Sequence, residues 1–224
     1  MAAVSLTTLR TRSRERADMP VAGFVPDSAT GIDAWINEGI QRLHEMLVEA
    51  FASQYVQSSS SFTVATETVN VPSDFYKLAG VDLNLSDGTR ASLQPFSRGM
   101  RNVYRNAGVY ADIKRPRYEL AGSVIRILPT PTAGTTGTLW YYPVASTLVN
   151  GNDTINFNNG WERYVVLYTA IQMRMKQESS VSELRVELDK MEKELKEIAD
   201  RRDLASPSHA VDMDLVDMES WRES

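Results

Sequence analysis

The chain has 224 residues, of which 42% are hydrophobic, and its 24 basic and 29 acidic side chains give a formal net charge of −5. A chain of this length can bury a real core as one domain or as a domain with a sizeable insert, and its acidic balance argues against a general nucleic-acid binder, whose phosphate contacts need an excess of Lys and Arg. Cysteine is absent, which excludes disulfide bonds, thiolate zinc sites and thiol nucleophiles.

The N-terminal stretch "SLTTLRTRSRERADM" predicts a helix that begins after Ser5, whose hydroxyl can cap free backbone N–H groups of the first turn. Its apolar face is thin, so the helix must pack on another element to be stable. That face consists of Leu6, Leu9, Ser13 and Ala17, and Arg10, Arg14 and Arg16 lie largely outside it. The start is polar and lacks a signal core, and no apolar run approaches the ~20 residues that cross a bilayer. We therefore expect a soluble protein that folds in a reducing cytoplasm.

A second and more strongly amphipathic helix follows a loop bracketed by Pro20 and Pro26, with Asp27 or Ser28 as its expected N-cap. Its apolar side chains recur at three- and four-residue spacing, which is the pattern of a helix face buried in a core. They are Ile32, Trp35, Ile36, Ile40, Leu43, Leu47, Phe51 and Tyr55. The serine run 58–61 ends this helix.

From residue 62 to about residue 157 the period changes to that of short strands separated by turns. The strand candidates are "SFTVATETVNV", "FYKLAGVDLNL", a hairpin of "RYEL" and "SVIRILP", "GTLWYYP" and "DTINF", and "SRGMRNVYRNAG" predicts a short helix among them. Closely spaced strands with local connections favour an antiparallel sheet or a small sandwich.

The helical period returns after Gly160 in two segments. The first has a predicted buried stripe of Trp161, Tyr164, Val165, Tyr168, Ile171 and Met175. Ser180 with Glu183 forms a capping-box pattern, which predicts a break and a new helix. The apolar seam of that helix consists of Val181, Leu184, Leu188, Met191, Leu195 and Ile198. The seam is too short to establish an intermolecular coiled coil, so packing against the same chain is the favoured interpretation.

These elements predict an α+β fold, in which a helical bundle of N-terminal and C-terminal helices carries an inserted antiparallel β-rich domain. The expected division is 1–60 for the N-terminal helices of the bundle, 61–157 for the β-rich insert, 158–203 for the C-terminal helices of the bundle and 204–224 for an extended interaction tail. Whether the β-rich part is an insertion between the helices or a domain packed on them stays open.

No motif with a catalytic mechanism is present in the sequence. His44 and His209 lack a second His or a Cys at ligand spacing, so a zinc site of the usual kind is not expected. The nucleophile elbow and the phosphate-binding P-loop are also absent. A chance pair among 29 acidic residues carries no information about glycoside hydrolysis. We predict a protein that is not an enzyme and has no catalytic, cofactor-binding or metal-binding residues.

Residues 90–126 form a basic segment in an acidic chain, with eight basic residues against two acidic ones and a net charge of +6. This charge predicts a surface that faces a polyanion or an acidic partner. The candidate residues are Arg98, Arg101, Arg105, Lys114, Arg115 and Arg117. The alternative is that these side chains meet the excess acidic residues elsewhere in the fold.

The C-terminal tail combines acidic residues with apolar ones that a solvated tail does not need. Val211, Met213 and Leu215 alternate, which suits an extended segment that adds to a sheet edge or lies in a groove. Met218 and Trp221 lie three residues apart, which suits one helical turn with Trp as a buried anchor. Residues 204–224 have a net charge of −4. We predict that these five apolar residues bind a partner.

Five segments together resemble the head-to-tail adaptor (connector) proteins of tailed bacteriophages. They are "LTTLRTRSRERADM", "INEGIQRLHEMLVEAF", "VPSDFYKLAGVDL", "LWYYPVASTL" and "NGWERYVVLYTAIQMRMKQESSVSEL", in family order over residues 6–184. The sequence departs from the family pattern at residues 28–31, which are poorer helix formers than expected, and after Asp203, where we find no resemblance.

The resemblance implies a structural protein of the virion neck that assembles in the host bacterial cytoplasm. Such proteins form a ring, expected to be a dodecamer, that docks under the portal protein and continues the DNA channel. The ring also offers a platform for downstream tail or nozzle proteins. DNA would pass without specific recognition, and neither a cofactor nor a membrane is implied. The apolar tail would then reach a neighbouring subunit or the portal, and the basic segment would contact an acidic partner or line the channel.

Two alternatives stay open at this point. The same order of helices and strands could serve another tail-completion or neck component of the virion. A cell-wall hydrolase is the third candidate class.

Overall fold

The computed structural model describes residues 3–19, 25–50, 58–85, 88–105, 116–155 and 160–202, with residues 198–202 described by their backbone alone. Within these ranges the fold is α+β, with five α-helices and mainly antiparallel sheets, which confirms the predicted class. The helices are α1 Leu6–Ala17, α2 Ile32–Ala50, α3 Arg101–Arg105, α4 Glu162–Lys176 and α5 Ser182–Arg202. The strands are β1 Val4–Ser5, β2 Ser58–Thr63, β3 Thr68–Asn70, β4 Phe75–Asn84, β5 Arg90–Ser92, β6 Gln94–Pro95, β7 Arg117–Ala121, β8 Val124–Leu128, β9 Thr136–Pro143 and β10 Thr154–Ile155.

Helix α4 contacts α1, α2 and α5 and is buried on most of its circumference. The predicted stripe is confirmed apart from Met175, which is 47% exposed because it lies in the last turn. The hydroxyl of Tyr164 donates to Glu192 at 3.0 Å, and that of Tyr168 donates to Glu38 at 2.6 Å. Burial, assisted by the bond to Glu38, raises the pKa of Tyr168 to about 12. Both tyrosines therefore bury an apolar ring and join α4 to a neighbouring helix through the hydrogen bond of the hydroxyl.

Helix α1 begins as predicted, since the Ser5 hydroxyl accepts a hydrogen bond from the backbone N–H of Thr8 at 3.2 Å. Its thin apolar face is buried against α4. The prediction that Arg14 lies outside the buried face is wrong. Its guanidinium donates to the Val25 carbonyl at 2.6 Å and to Asp27 at 2.5 Å, so burial is offset by charge-assisted hydrogen bonds.

Helix α2 begins at Ile32, later than the expected cap at Asp27 or Ser28. Asp27 binds Arg14, and a turn precedes the helix, with the Gly31 N–H bonded to the Ser28 carbonyl at 2.9 Å. The sequence interpretation also placed His44 on a polar flank of this helix, which is wrong because His44 is 4% exposed. Its ring lies 5.6 Å from that of Tyr76 in β4, and burial lowers its pKa against the opposing effect of a hydrogen bond to the Pro143 carbonyl.

The predicted break between α4 and α5 is present, with Glu178 in the left-handed region at φ 57°. The predicted capping box does not form. Helix α5 begins at Ser182, and the Ser180 hydroxyl lies 3.3 Å from the Ser182 hydroxyl instead of capping the backbone. Leu184 and Leu195 of the seam are buried in the helical core, and α5 contacts α4 and α2. Packing of this helix on its own chain is therefore confirmed.

The strands form two four-stranded sheets and one two-stranded sheet. The first has the order β2-β9-β4-β5, the second has the order β3-β8-β7-β6, and β1 pairs with β10. Pairing is antiparallel except between β6 and β7. The predicted hairpin is confirmed as β7 and β8, joined through Gly122 at φ 63°. The serine run 58–61 belongs to β2, so the strand begins earlier than predicted.

Two separate apolar cores result. The helical core draws on the helices together with Leu148 and Ile155. The second core lies between the two larger sheets and contains side chains of both. Its buried members are Val64, Val81, Leu83, Leu93, Ile125, Ile127, Leu139 and Tyr141. The predicted core residues Phe51 and Tyr55 lie outside the described residues, and the side chain of Ile198 does as well.

Candidate functional site

The described residues 98–105 and 117–126 of the basic segment lie at the polar face of the second sheet. A 3-10 turn, Arg98–Met100, leads into α3, which contacts β8. Glu119 of β7 is opposite Arg126 of β8, and both alternate with core-facing residues. The segment 98–105 therefore lies over a row of charged side chains instead of over apolar ones.

Two glutamates neutralise much of this positive charge. Glu67 accepts two hydrogen bonds from the Arg105 guanidinium, at 2.8 and 2.7 Å, and lies 3.4 Å from the guanidinium of Arg126. Glu119 lies 3.3 Å from the guanidinium groups of both Arg98 and Arg126. Glu119 is only 8% exposed, so its carboxylate depends on these arginines for compensation. These five alternating charges join the segment 98–105 to the sheet.

The described contacts of Arg101 and Arg117 are with a backbone carbonyl and an aromatic ring instead of carboxylates. Arg117 lies 5.0 Å from the ring centroid of Tyr104, and that ring lies 5.4 Å from the ring of Phe96. Arg101 donates to the Arg98 carbonyl at 3.2 Å. No carboxylate among the described residues forms an ion pair with Arg101 or Arg117. Among the described candidate residues, these two arginines therefore carry positive charge that no described carboxylate pairs with.

The remaining predicted site residues cannot be placed in this arrangement. Lys114 and Arg115 lie outside the described residues. The same holds for the whole predicted partner-binding set of the tail, which comprises Val211, Met213, Leu215, Met218 and Trp221. The structure therefore brings together Arg98, Arg101, Arg105 and Arg117, and leaves the tail as a prediction.

A second polar cluster joins three helices. Glu187 of α5 accepts hydrogen bonds from Arg16 of α1 and Arg163 of α4. Burial acts to raise the pKa of Glu187, but the hydrogen bonds and charges of the two arginines lower it below its usual range. A cavity of about 410 Å³ lies beside this cluster between α4 and α5, with Trp161 and Met191 among its lining residues.

Neither cluster resembles a catalytic or metal centre. Within the described ranges, no three His, Asp or Glu side chains lie together as a metal ion would require. The acidic residues of both clusters face guanidinium groups and form salt bridges with them. The arrangement suits adhesion between elements of a structural protein.

Comparison with known families identifies the chain's relatives. A family model described as SU10 adaptor protein matches residues 4–212. The chain belongs to the SU10 adaptor protein family. This is a phage head-to-tail adaptor family, which confirms the resemblance seen in the sequence. Among curated proteins, none matches the chain.

Membership of the SU10 adaptor protein family assigns a structural role in phage assembly and makes the protein a virion component. The match extends nine residues beyond Asp203, so the resemblance reaches further into the tail than the sequence interpretation had it. Val211 lies inside the match and Met213 outside it. In the described part of this adaptor protein, no helix is long and apolar enough to span a bilayer.

Sequence reasoning missed the acidic half of the charged face. Glu67 was not singled out, because it lies 38 residues from Arg105 and no local pattern connects them. A signal for Glu119 was available, since it alternates with Tyr118 and Leu120 in a predicted strand and so occupies the face opposite the apolar one.

Proposed function

We propose that this protein is a head-to-tail adaptor that forms a ring, a dodecamer, beneath the portal of a tailed bacteriophage. The ring docks on the portal after genome packaging, continues the DNA channel and offers the attachment platform for tail or nozzle proteins. The observation that carries this proposal is the family match over residues 4–212, nearly the whole chain.

Within the ring, each subunit has a helical bundle formed by residues 1–60 and 158–203, and residues 61–157 form an inserted β-rich domain. The membership of the two apolar cores supports a helical part and a β-rich part, although Leu148 and Ile155, near the end of the insert's range, belong to the helical core. Buried residues of the helical core end at Leu47 and resume at Leu148, whereas those of the sheet core run from Val64 to Tyr141. Each part therefore has a core of its own, as separate domains do.

The C-terminal tail, residues 204–224, serves as an arm that binds a neighbouring subunit or the portal. Its five apolar residues supply the buried contacts, and Trp221 supplies the largest single anchor. A segment of about twenty polar-rich residues cannot bury enough apolar surface alone, so its apolar side chains need a partner to be buried.

Deleting every residue after Ala205 tests the function of this arm. We expect attachment to portal-containing heads to fall at least about tenfold, because loss of one buried aromatic anchor alone costs ~2 kcal/mol or more. Attachment is measured by sedimentation of the heads and by electron microscopy. A full-length chain with Ser206→Ala and Ser208→Ala is the control, since it keeps all apolar tail residues. Unchanged attachment of the truncated chain would contradict the binding role of the tail.

The positive face around Arg101 and Arg117 contacts an acidic protein surface in the assembled ring. A channel wall that held DNA phosphates strongly would hinder passage of the genome, so a protein partner is preferred to DNA. Of the described candidate residues, Arg101 and Arg117 form no ion pair with a described carboxylate, whereas Arg98 and Arg105 already face glutamates.

Replacing Arg101 and Arg117 together with alanine is expected to impair ring assembly more strongly at low salt than at high salt, because salt already screens exposed charges. Arg105→Ala is the matched control on the same short helix and should affect assembly less, since Glu67 neutralises that charge. Ring formation is followed by analytical ultracentrifugation. Normal assembly combined with altered DNA retention would indicate a channel lining instead.

A further inference from the structure

We infer that the outer edge of β2 binds residues 211–215 of a second copy of this chain as an added strand. The inference rests on the proposed function, which brings identical copies together and gives the tail a partner. It goes further by naming the surface that receives the tail.

Among the described residues, strand β2 has one edge without a partner. It is the end strand of the first sheet and pairs with β9 alone. The backbone N–H of Val64 donates to the Thr135 carbonyl at 2.8 Å, in the same register as the β2–β9 ladder. Because hydrogen-bonded pairs alternate in an antiparallel ladder, the backbone groups of Ser59, Ser61 and Thr63 point away from β9. No described residue hydrogen-bonds to this outer edge.

This edge also lacks the features that usually prevent strand addition. Proteins protect exposed edges with charged residues, proline, bulges or very short strands. Strand β2 has six residues, "SSSSFT", without a charge or a proline and without a register shift against β9. The other edges of the two larger sheets are shorter, with three residues each in β3 and β5 and two in β6.

The tail matches this edge in its side-chain pattern. On the core side of β2, Ser58, Ser60 and Phe62 are half-buried at the border of the sheet core. Val211, Met213 and Leu215 would lie beside them and extend that core, because alternate residues of a strand share one face. On the other side, Asp212 and Asp214 would lie beside the exposed hydroxyls of Ser59 and Ser61. Hydroxyl groups can donate to carboxylates, and β2 carries no acid that would repel them.

Eight residues, 203–210, separate the end of α5 from Val211. Fully extended, eight residues span up to ~26 Å. A linker of this length lets residues 211–215 bind outside the helical core of their own chain.

Disulfide trapping in the full-length chain tests this docking. Because the chain has no native cysteine, only its introduced cysteines can form disulfide bonds between copies. Ser61→Cys is combined with Asp212→Cys or Asp214→Cys, and the chains are assembled on portal-containing heads before oxidation. We expect disulfide-linked dimers and longer ladders on non-reducing gels for at least one pair. Thr68→Cys on the β3 edge replaces Ser61→Cys in the control, which should give at least tenfold less linkage.

A proline variant tests whether the backbone edge itself is used. In whichever Ser59→Cys background links, with Asp212→Cys or with Asp214→Cys, Ser61→Pro removes one outward N–H that β9 does not need, a position where an edge strand tolerates proline. We expect linkage to be lost with Ser61→Pro and kept with Ser61→Ala. Far-ultraviolet circular dichroism and the melting temperature of the unassembled chains check that both variants fold.

Linkage no greater than in the Thr68→Cys control, or a disulfide closed within a single chain, would overturn this inference. If rings still form and heads still accept them in that case, only the docking of the tail on β2 is wrong. If the wild-type protein forms no ring and does not bind portal, the proposed function itself fails.

Discussion

Replacing Gly137 with alanine is expected to lower the free energy of unfolding by about 3 kcal/mol, because overpacking forces the backbone to move. Gly137 lies in β9 between Phe62 of β2 and Leu83 of β4. A Cβ at this position would lie 2.3 Å from the Phe62 ring and 2.6 Å from the backbone carbonyl oxygen of Asp82. The ring could rotate away, but the carbonyl belongs to the adjacent strand and can move only if the sheet distorts.

Gly80→Ala is the matched control for this prediction. Gly80 lies in the adjacent strand β4, and a Cβ there meets nothing within 4 Å. We expect this variant to stay within about 1 kcal/mol of wild type or to gain slightly, because alanine has less backbone entropy to lose on folding. Urea unfolding followed by circular dichroism measures both variants. Equal stability of the two variants would show that the close approach at Gly137 is not what requires glycine.

Replacing Asp33 with alanine is the second change with a large expected effect, a loss of about 3 kcal/mol of unfolding free energy. The Arg10 guanidinium of α1 donates two hydrogen bonds of 2.7 Å to the Asp33 carboxylate of α2. The hydrogen bonds that Arg10 donates to Asp33, together with the negative charge of Asp33, raise the pKa of Arg10, although burial opposes them. Asp33→Ala would leave the Arg10 charge, whose side chain is 18% exposed, without this partner.

Asp33→Asn separates the charge from the shape of the side chain. Asparagine can still accept one hydrogen bond from Arg10, so we expect Asp33→Asn to lose less unfolding free energy than Asp33→Ala. A double-mutant cycle with Arg10→Ala should give a coupling energy of about 1 kcal/mol or more, since the pair is bidentate and partly buried. If the double variant loses as much unfolding free energy as the two single variants lose in sum, these side chains do not interact.

The pair Arg10–Asp33 also explains how a helix with a thin apolar face is retained. Helix α1 buries only a few apolar side chains, and it adds contacts through three arginines. Arg10 binds α2, Arg14 binds the loop before α2, and Arg16 binds Glu187 of α5. Such ion pairs fix the relative positions of helices where apolar burial is small.

The sequence by itself determined the class of the fold and most of its elements. Helical periodicity found α1, α2, α4 and α5, and alternation found the β7–β8 hairpin, because both patterns reflect local backbone geometry. The resemblance to phage adaptors was also visible in the order of the segments. Ends of elements were less predictable: Asp27 and Ser28 looked like caps for α2, yet Asp27 pairs with Arg14.

Only the tertiary structure decided which charges and edges are free. Arg98 and Arg105 looked like interface residues beside Arg101, but Glu119 and Glu67 neutralise them in the fold. The open edge of β2 likewise follows from the sheet order and not from its six residues. The physical reason is that periodicity records only which face of an element is buried. The partner of a charge or a strand edge depends on which distant segments become neighbours, and no local pattern encodes that.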